Sequence, residues 1–257
     1  MNLETLHAFA VDLAYRAGRI TLGYFNTGVR PDYKPDDTPV TAADRAAEQF
    51  IRAEIEKHHP THAILGEEFG ESASSASQSV FRWIIDPIDG TKSFMRGVPL
   101  YGVLLGLEIE GEVRVGAAYF PGTDEMLSAA DGLGAWWNGR RARVSQVSSI
   151  KDAYVCFTNV RNMARYGRQA AWERINAASY AARGWSDAYG YLAVATGRAE
   201  VMLDPVMNIW DCGPFPVIFR EAGGYFGSWD GRAGHTFGEA LACNAAIKDE
   251  LLALINA

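Results

Sequence analysis

The segment Trp83–Phe94 reads WIIDPIDGTKSF, an apolar run that ends in one carboxylate at Asp86 and continues to a second at Asp89. Two carboxylates close to the end of a buried strand repel each other and lose hydration, so a cation or a proton must offset the cost. A hard divalent ion such as Mg²⁺ takes oxygen ligands, and the carbonyl of Ile88 can face the same ion. The segment therefore predicts a strand that leads into a metal site.

The Gly90-Thr91 pair predicts the first turn of a helix, whose N–H groups can hold an anion. Two other interpretations remain open at this point. Asp86 and Asp89 can be turn residues around Pro87, with Asp89 capping the helix. An aspartyl-phosphate mechanism usually shows D-x-D-x-T, and the D-x-x-D-G-T spacing here is one residue longer, which disfavours a nucleophilic aspartate.

The first half of the chain predicts two helices followed by a sheet. Apolar residues at helical spacing predict helices over 3–25 and 42–57, and Thr41 with Asp44 forms a capping box before the second. After a short strand at Ile64-Leu65, the polar segment 70–79 predicts a mobile loop. From Val80 onward, strand patterns separated by turn signals predict a large, mainly antiparallel sheet.

The second half alternates strands and helices, which predicts a layered α/β (α+β) architecture. The predicted elements are strands at 153–157, 199–204 and 241–244, helices at 187–196 and 210–222, and a terminal helix. We expect one domain over 1–257, with possible subdomains 1–148 and 149–257.

Composition excludes several classes of protein. The 257 residues carry a net charge of −7, which argues against nucleic acid as a partner. Apolar runs fall short of the roughly 20 residues that span a bilayer, and the start lacks a signal-peptide pattern, so we expect a cytoplasmic globular protein without a membrane partner. Cys156, Cys212 and Cys243 lack metal-site spacing and are expected to be buried apolar residues.

Further acids come from distant segments. ILGEEFG places Glu67 and Glu68 after a short strand, and IWDCGP places Asp211 in the first turn of a helix. Taken singly, these are explained as solvated loop charges and as an acid that the helix dipole favours. Taken with DPIDGT, the set resembles the inositol monophosphatase superfamily, and the match runs from KPDDTPVTAAD at 34–44 to EAGG at 221–224.

The resemblance implies an αβαβα sandwich and lithium-sensitive, Mg²⁺-dependent hydrolysis of a phosphate monoester. It implies that Glu67, Asp86 and the Ile88 carbonyl hold one Mg²⁺, and that Asp86, Asp89 and Asp211 hold a second. A third ion near Glu67 is also implied. Two such ions together lower the pKa of a bound water and neutralise the attacking and leaving oxygens.

The resemblance also assigns catalytic roles. Asp44 would hold Thr91, which would help Glu67 to orient and deprotonate the attacking water, although the capping box explains Asp44 equally well. The N–H groups of Gly90 and Thr91 would hold phosphate oxygens. Lys34 matches a family lysine, but we expect it to be a solvated loop charge.

The segments KSFMRGVPLYG at 92–102 and WSDAYGYLAVATGRAEVMLDP at 185–205 resemble the branch that hydrolyses histidinol phosphate. The ammonium and imidazole groups of that substrate favour carboxylates, for which Asp187 and Asp204 are candidates. A helix N-cap at Asp187 and a pre-proline turn at Asp204 explain both residues without a ligand.

Three cations are weaker candidates for steering the phosphate, namely Lys92, Arg183 and Arg96. The same chemistry on inositol or sugar phosphates is the nearest alternative function. A nucleotide 3′-phosphatase and a non-catalytic binding module are more distant ones. Family pockets can be completed by a second subunit, so we expect a homodimer, and Trp136-Trp137 can belong to the core or to an interface.

Overall fold

The computed structural model describes residues 2–28, 30–35, 39–72, 79–185 and 187–257. The helices are α1 Leu3–Leu22, α2 Ala42–His58, α3 Thr91–Met95, α4 Val160–Arg165, α5 Gln169–Ala178, α6 Asp187–Ala195, α7 Ile209–Cys212, α8 Phe215–Ala222 and α9 Lys248–Asn256. The strands are β1 Asp32–Tyr33, β2 Pro39–Val40, β3 Ala63–Gly66, β4 Gly70–Glu71, β5 Phe81–Asp89, β6 Gly102–Ile109, β7 Glu112–Phe120, β8 Glu125–Ala130, β9 Gly134–Trp137, β10 Arg140–Arg141, β11 Tyr154–Phe157, β12 Ala181–Arg183, β13 Val201–Asp204, β14 Gly224–Gly227 and β15 Ala240–Asn244.

Two sheets carry the fold. Within the described residues, the larger has eight strands in the order β10-β9-β8-β7-β6-β5-β3-β4, and only the β3–β5 pair is parallel. The smaller has five strands in the order β12-β11-β13-β15-β14, with β11 parallel to both of its neighbours. The predicted large, mainly antiparallel sheet is confirmed.

Three apolar clusters show that the elements form five layers. One cluster lies between α1, α2 and one face of the large sheet. The second fills the space between the other face of that sheet, the helices α6 and α8, and the small sheet. The third lies between the small sheet and α5 and α9. This is the expected αβαβα sandwich, and the shared middle cluster supports the expectation of one domain, which stays a prediction.

Local sequence explains where the elements begin and end. The box at Thr41 and Asp44 starts α2 as predicted, because each side chain accepts a hydrogen bond from a backbone N–H of the first turn. The predicted helix over 210–222 is wrong in one respect, since it is two helices separated at Gly213-Pro214. Proline lacks an N–H and clashes with the carbonyl four residues earlier, so a continuous helix cannot pass this point.

The strand β5 also differs from its prediction. It does not stop at Asp86 but continues to Asp89, with a register shift against β6 between these two residues. A bulge of this kind lets one strand re-aim its side chains. Both aspartates are therefore carried by one strand and point toward the same end of the sheet.

The middle layer approaches the large sheet very closely. A Cβ added to Gly106 on β6 would lie 2.3 Å from the carbonyl oxygen of Gly213. Only glycine leaves room for this contact between two backbones. It fixes the start of α8 and the end of α7 against the sheet.

The predicted mobile loop over 70–79 has residues 73–78 outside the described part of the chain. The three cysteines are buried and free, as predicted. In the described ranges, no helix combines the length and apolar character needed to span a membrane.

Candidate active site

The end of β5 provides two of the acidic groups. Asp86 is only 1% exposed, and its Oδ1 accepts the N–H of Ile88 at 3.0 Å. Asp89 is half-buried, and its Oδ2 accepts the N–H of Ala188, the second residue of α6, at 2.5 Å. This hydrogen bond connects the end of β5 to the start of α6.

A third acid comes from the middle layer. Asp211 lies on α7, where its Oδ2 accepts the N–H of Asn208 at 2.7 Å in a second capping box. Carboxylate oxygens of Asp86, Asp89 and Asp211 lie within 4.8 Å of one another. Residues more than 120 positions apart therefore converge on one point.

Burial and mutual repulsion shift the protonation of these acids. Burial, followed by the charges of Glu67 and neighbouring acids, raises the pKa of Asp86 well above its usual value, and burial with the charge of Asp187 does the same for Asp89. Burial raises the pKa of Asp211 to about 7. Each of these acids is therefore harder to ionise in the metal-free protein than an aspartate in water.

The chemistry of the three groups fits a hard cation. All donors are carboxylate oxygens, which Mg²⁺ and similar ions prefer. Among the described residues, no ion pair joins a lysine or an arginine to Asp86, Asp89 or Asp211, so their charge is not offset by the chain itself. A divalent ion would supply the missing charge.

Glu67 lies beside this trio but is engaged by a cation. The ammonium of Lys34 contacts Glu67 Oε1 and Glu68 Oε1, each at 2.8 Å. Burial opposes the charge on Lys34, but the two hydrogen bonds outweigh it and raise its pKa. The expectation that Lys34 is a solvated loop charge is therefore wrong, because the paired acids of GEE require a counter-charge.

Sequence analysis missed the residue that shapes the GEE turn. Glu48 on α2 is fully buried, pairs with Arg52 at 2.7 Å, and accepts the N–H of Glu68 at 2.8 Å. A Cβ on Gly66 would lie 2.1 Å from Glu48 Oε1, so glycine is required there. The spacing of Glu48 and Arg52, four apart on a predicted helix, was the available signal.

The predicted contact between Asp44 and Thr91 is present but long. Thr91 Oγ1 lies 3.5 Å from Asp44 Oδ1 and 3.1 Å from the carbonyl oxygen of Ile88. Since a hydroxyl has one hydrogen, the shorter contact to Ile88 is the stronger bond. Burial raises the pKa of Asp44 to about 6, although its capping bonds to Thr41 oppose the shift.

A cavity of 160 Å³ opens beside these groups and is lined by Pro39, Glu67, Gly90, Thr91, Lys92 and Asp187. Asp187 has a left-handed backbone with φ of 53°, and its Oδ2 accepts the hydroxyl of Ser93 at 3.2 Å. It is the first residue of α6, and the explanation of Asp187 as a helix cap stays a prediction. Of the predicted phosphate-steering cations, Lys92 lines this cavity.

Other predicted substrate contacts lie elsewhere. Asp204 is 4% exposed and accepts hydrogen bonds from Tyr191, at 2.9 Å, and from Thr158. Burial raises its pKa to about 8. Arg183 and Arg96 are exposed and do not line the cavity. The positions of Asp204 and Arg183 thus do not support the predicted contacts with the ligand. Asp204 is buried and bonded to Tyr191, and the Arg183 guanidinium donates to the carbonyl oxygen of Ala182.

Comparisons with known proteins agree with this geometry. A model of the inositol monophosphatase family matches residues 2–257. A histidinol-phosphatase of Chlorobaculum parvum is 41% identical over 96% of this chain and 95% of its own, and one of Mycobacterium tuberculosis is 37% identical over 96% of both chains. The structure of an inositol monophosphatase from Anabaena (Nostoc) has a TM-score of 0.86 at 29% identity, and covers 100% of this chain and 97% of its own. The chain belongs to the inositol monophosphatase family.

Proposed function

We propose that this protein is a Mg²⁺-dependent phosphatase that converts L-histidinol phosphate and water into L-histidinol and phosphate. The observation that carries the chemistry is the convergence of Asp86, Asp89 and Asp211 within 4.8 Å, with no cation of the described chain to balance them. Such a set supports a site for a divalent ion, because a cation would offset the repulsion between the three carboxylates. A binding module that holds no metal ion would not need to keep three repelling acids in place.

The metal ligands follow from this arrangement. We propose that Asp86, Asp89 and Asp211 hold Mg²⁺, and that Glu67 and the Ile88 carbonyl complete a site for two or three ions. Bound Mg²⁺ lowers the pKa of a water and offsets charge on the phosphate oxygens. Glu67 is bonded to Lys34 here, so its role as a ligand requires that bond to be released.

The remaining residues act on the water and the phosphate. Glu67 accepts a proton from the attacking water, and Thr91 orients that water through its hydroxyl oxygen, while the hydroxyl hydrogen goes to the Ile88 carbonyl or to Asp44. Gly90, Thr91 and Lys92 line the cavity in which the phosphate lies. Asp187, at the outer wall, faces the ammonium group of the substrate. Asp204 acts indirectly, through Thr158, whose hydroxyl also accepts the N–H of Asp187 at 3.0 Å.

The choice of substrate is supported by the relatives. Those at 41% and 37% identity, each matched over nearly the whole chain, are named histidinol-phosphatases. The alternative is inositol 1-phosphate, favoured by the fold shared with the Anabaena inositol monophosphatase. Family membership further supports inhibition by Li⁺, a homodimeric state and a cytoplasmic location as parts of the proposal.

The test is phosphate release by the purified, Mg²⁺-loaded chain. We expect kcat/KM for L-histidinol phosphate to exceed that for myo-inositol 1-phosphate and fructose 1,6-bisphosphate by at least about 100-fold, or about 2.7 kcal/mol of discrimination. Activity should vanish with EDTA and return with Mg²⁺. A preference for inositol phosphate would leave the chemistry intact and reject the substrate. Full activity in EDTA would reject the metal mechanism.

A further inference from the structure

A second cavity lies next to the proposed phosphate site. It has a volume of 340 Å³, its lining is mostly apolar, and it is formed by Leu100, Trp185, Tyr189, Ala193 and Arg198. None of these residues has a role in the proposed hydrolysis. Two of them are aromatic, and Trp185 is 38% exposed.

The two cavities share a wall. A Cβ on Gly90 would lie 3.1 Å from Asp187 Oδ2 and 3.3 Å from the carbonyl oxygen of Leu100, so both residues touch the phosphate-side glycine. Asp187 lines the first cavity and Leu100 the second. Gly90 therefore lies between a residue that lines the first cavity and one that lines the second.

The helix α6 connects the acids to the second cavity. Its second residue, Ala188, donates its N–H to Asp89, while Tyr189 and Ala193 lie four apart on one face that borders the cavity. At about 1.5 Å of rise per residue, Ala193 lies only about 8 Å along the axis from the residue that contacts Asp89. A small substrate can span this distance.

A hydrogen bond, an ion pair and ring contacts fix the side chains that line the second cavity. The hydroxyl of Tyr189 donates to Glu125 Oε1 at 3.0 Å, and its ring meets Phe120 edge-on at 5.6 Å. Arg198 forms an ion pair with Glu125 at 2.9 Å, so its charge is balanced within the chain. The Trp185 ring lies nearly parallel to that of Tyr154, with centroids 6.5 Å apart.

These observations fit an uncharged planar ring more closely than an anion or an aliphatic polyol. Aromatic walls favour flat rings by stacked or edge-on contacts, whereas the hydroxyl groups of a polyol would lose hydrogen bonds to water there. In an imidazolyl amino-alcohol phosphate, the ring is about four bonds from the phosphate ester oxygen, or roughly 6 Å at about 1.5 Å per bond. A molecule of this length can place its phosphate and its ring in two neighbouring cavities.

We infer that the cavity formed by Leu100, Trp185, Tyr189, Ala193 and Arg198 receives the imidazole ring of the substrate, and that Trp185 and Tyr189 determine specificity for it. The inference rests on the proposed function. Phosphate, ammonium and ring then each have a separate place, at Lys92, Asp187 and Trp185. Neither aromatic residue touches the reacting atoms.

The test compares two substrates in the Mg²⁺-loaded full chain. L-histidinol phosphate carries the ring, whereas O-phosphoethanolamine keeps the ammonium and the phosphate without it. We expect Trp185→Ala to lower kcat/KM at least about tenfold for the first, mainly through KM, and less than twofold for the second. Trp185→Phe should restore most of the loss. An equal loss on both substrates, or no loss on either, would overturn the inference.

Binding of the product separates this inference from the proposed function. By calorimetry with L-histidinol, the wild-type chain should bind and Trp185→Ala should bind at least about tenfold more weakly. If turnover of histidinol phosphate fails but this difference remains, the ring site stands and the proposed reaction falls. If L-histidinol does not bind the wild-type chain, the ring site is rejected.

Sedimentation of Trp185→Ala is the last control, because dissociation into smaller species would assign the cavity to contact with a second copy of the chain.

Discussion

The buried acidic groups at the two ends of β5 have opposite surroundings. At the Phe81 end, Glu108 lies between Arg82 and His235, with its Oε1 at 2.7 Å from the ring nitrogen of His235. Burial alone would raise the pKa of Glu108, but the hydrogen bonds to these partners outweigh it and lower the pKa to about 2. At the Asp89 end, burial and then the mutual repulsion of the acids raise the pKa values of Asp86 and Asp89.

The contacts of Glu108 stabilise the fold, whereas the acids at the Asp89 end remain available for the proposed metal site. The paired group is fully compensated within the chain and links the two sheets, since Glu108 lies on β6 and His235 lies between β14 and β15. The acids at the other end have no lysine or arginine partner among the described residues. Substitutions should therefore have opposite consequences at the two ends.

The largest effect is expected for Asp86→Asn. Loss of this charge removes several kcal/mol of transition-state stabilisation, which corresponds to about a 10³-fold fall in kcat/KM. The metal-free protein should be no less stable than the wild type, because one repelling charge is gone. Steady-state assays and urea unfolding in EDTA measure the two quantities. Asp12→Asn, which is 60% exposed on α1, is the matched control and should change neither.

At the paired end, Glu108→Gln should lower the free energy of unfolding by about 3 kcal/mol, since it leaves Arg82 without its counter-charge and removes the carboxylate that contacts His235. The kcat/KM of the folded fraction should stay within about twofold. Glu112→Gln, whose side chain is 67% exposed beside Arg114, should cost less than about 0.5 kcal/mol. Equal losses for both variants in urea unfolding would reject the contrast between the two ends.

The pH dependence of the metal-free protein should follow the acidic end. The pKa of Asp211 is raised to about 7 and that of Asp204 to about 8, both mainly by burial. The folded state therefore holds protons that the unfolded chain releases near pH 4, and stability falls as the pH rises from about 4 to 8. We expect each of the two groups to lower the free energy of unfolding by up to about 1.4 kcal/mol per pH unit over this range in EDTA. Added Mg²⁺ should remove the part that Asp211 contributes, and a flat profile in EDTA would contradict the assignment.

The smallest effect concerns His62, which is 4% exposed near the Phe81 end. Burial and the neighbouring His59 lower its pKa to about 4, and its Nδ1 accepts the indole N–H of Trp83 at 3.0 Å. Since the unfolded chain takes up a proton near pH 6.5 and the folded chain does not, stability is lost as the pH falls from 6.5 to 4. With Mg²⁺ present, the loss between pH 7 and 5 should be about 1 kcal/mol smaller in His62→Gln than in the wild type. His58→Gln, an exposed neighbour, should leave the slope unchanged.

Local sequence patterns predicted the helices α1 and α2, the sheet strands and the capping box, because these depend on neighbours along the chain. The convergence of Asp86, Asp89 and Asp211 was reached only through the resemblance, since no local rule brings α7 to β5. The pairing of Lys34 was missed for the same reason. So was the pairing of Glu108 with His235, 127 positions apart.

The backbone contact between Gly106 and Gly213 has a consequence for redesign of the site. No side chain separates the two layers there. A change of rotamer at this contact therefore cannot alter the distance between the backbones that carry Asp211 and Asp86. An engineer who wishes to widen the site for a larger ion, such as Ca²⁺, would gain little from substituting the ligands alone. The spacing would have to be reset in the main chain, by changing the length or course of the Gly213-Pro214 junction.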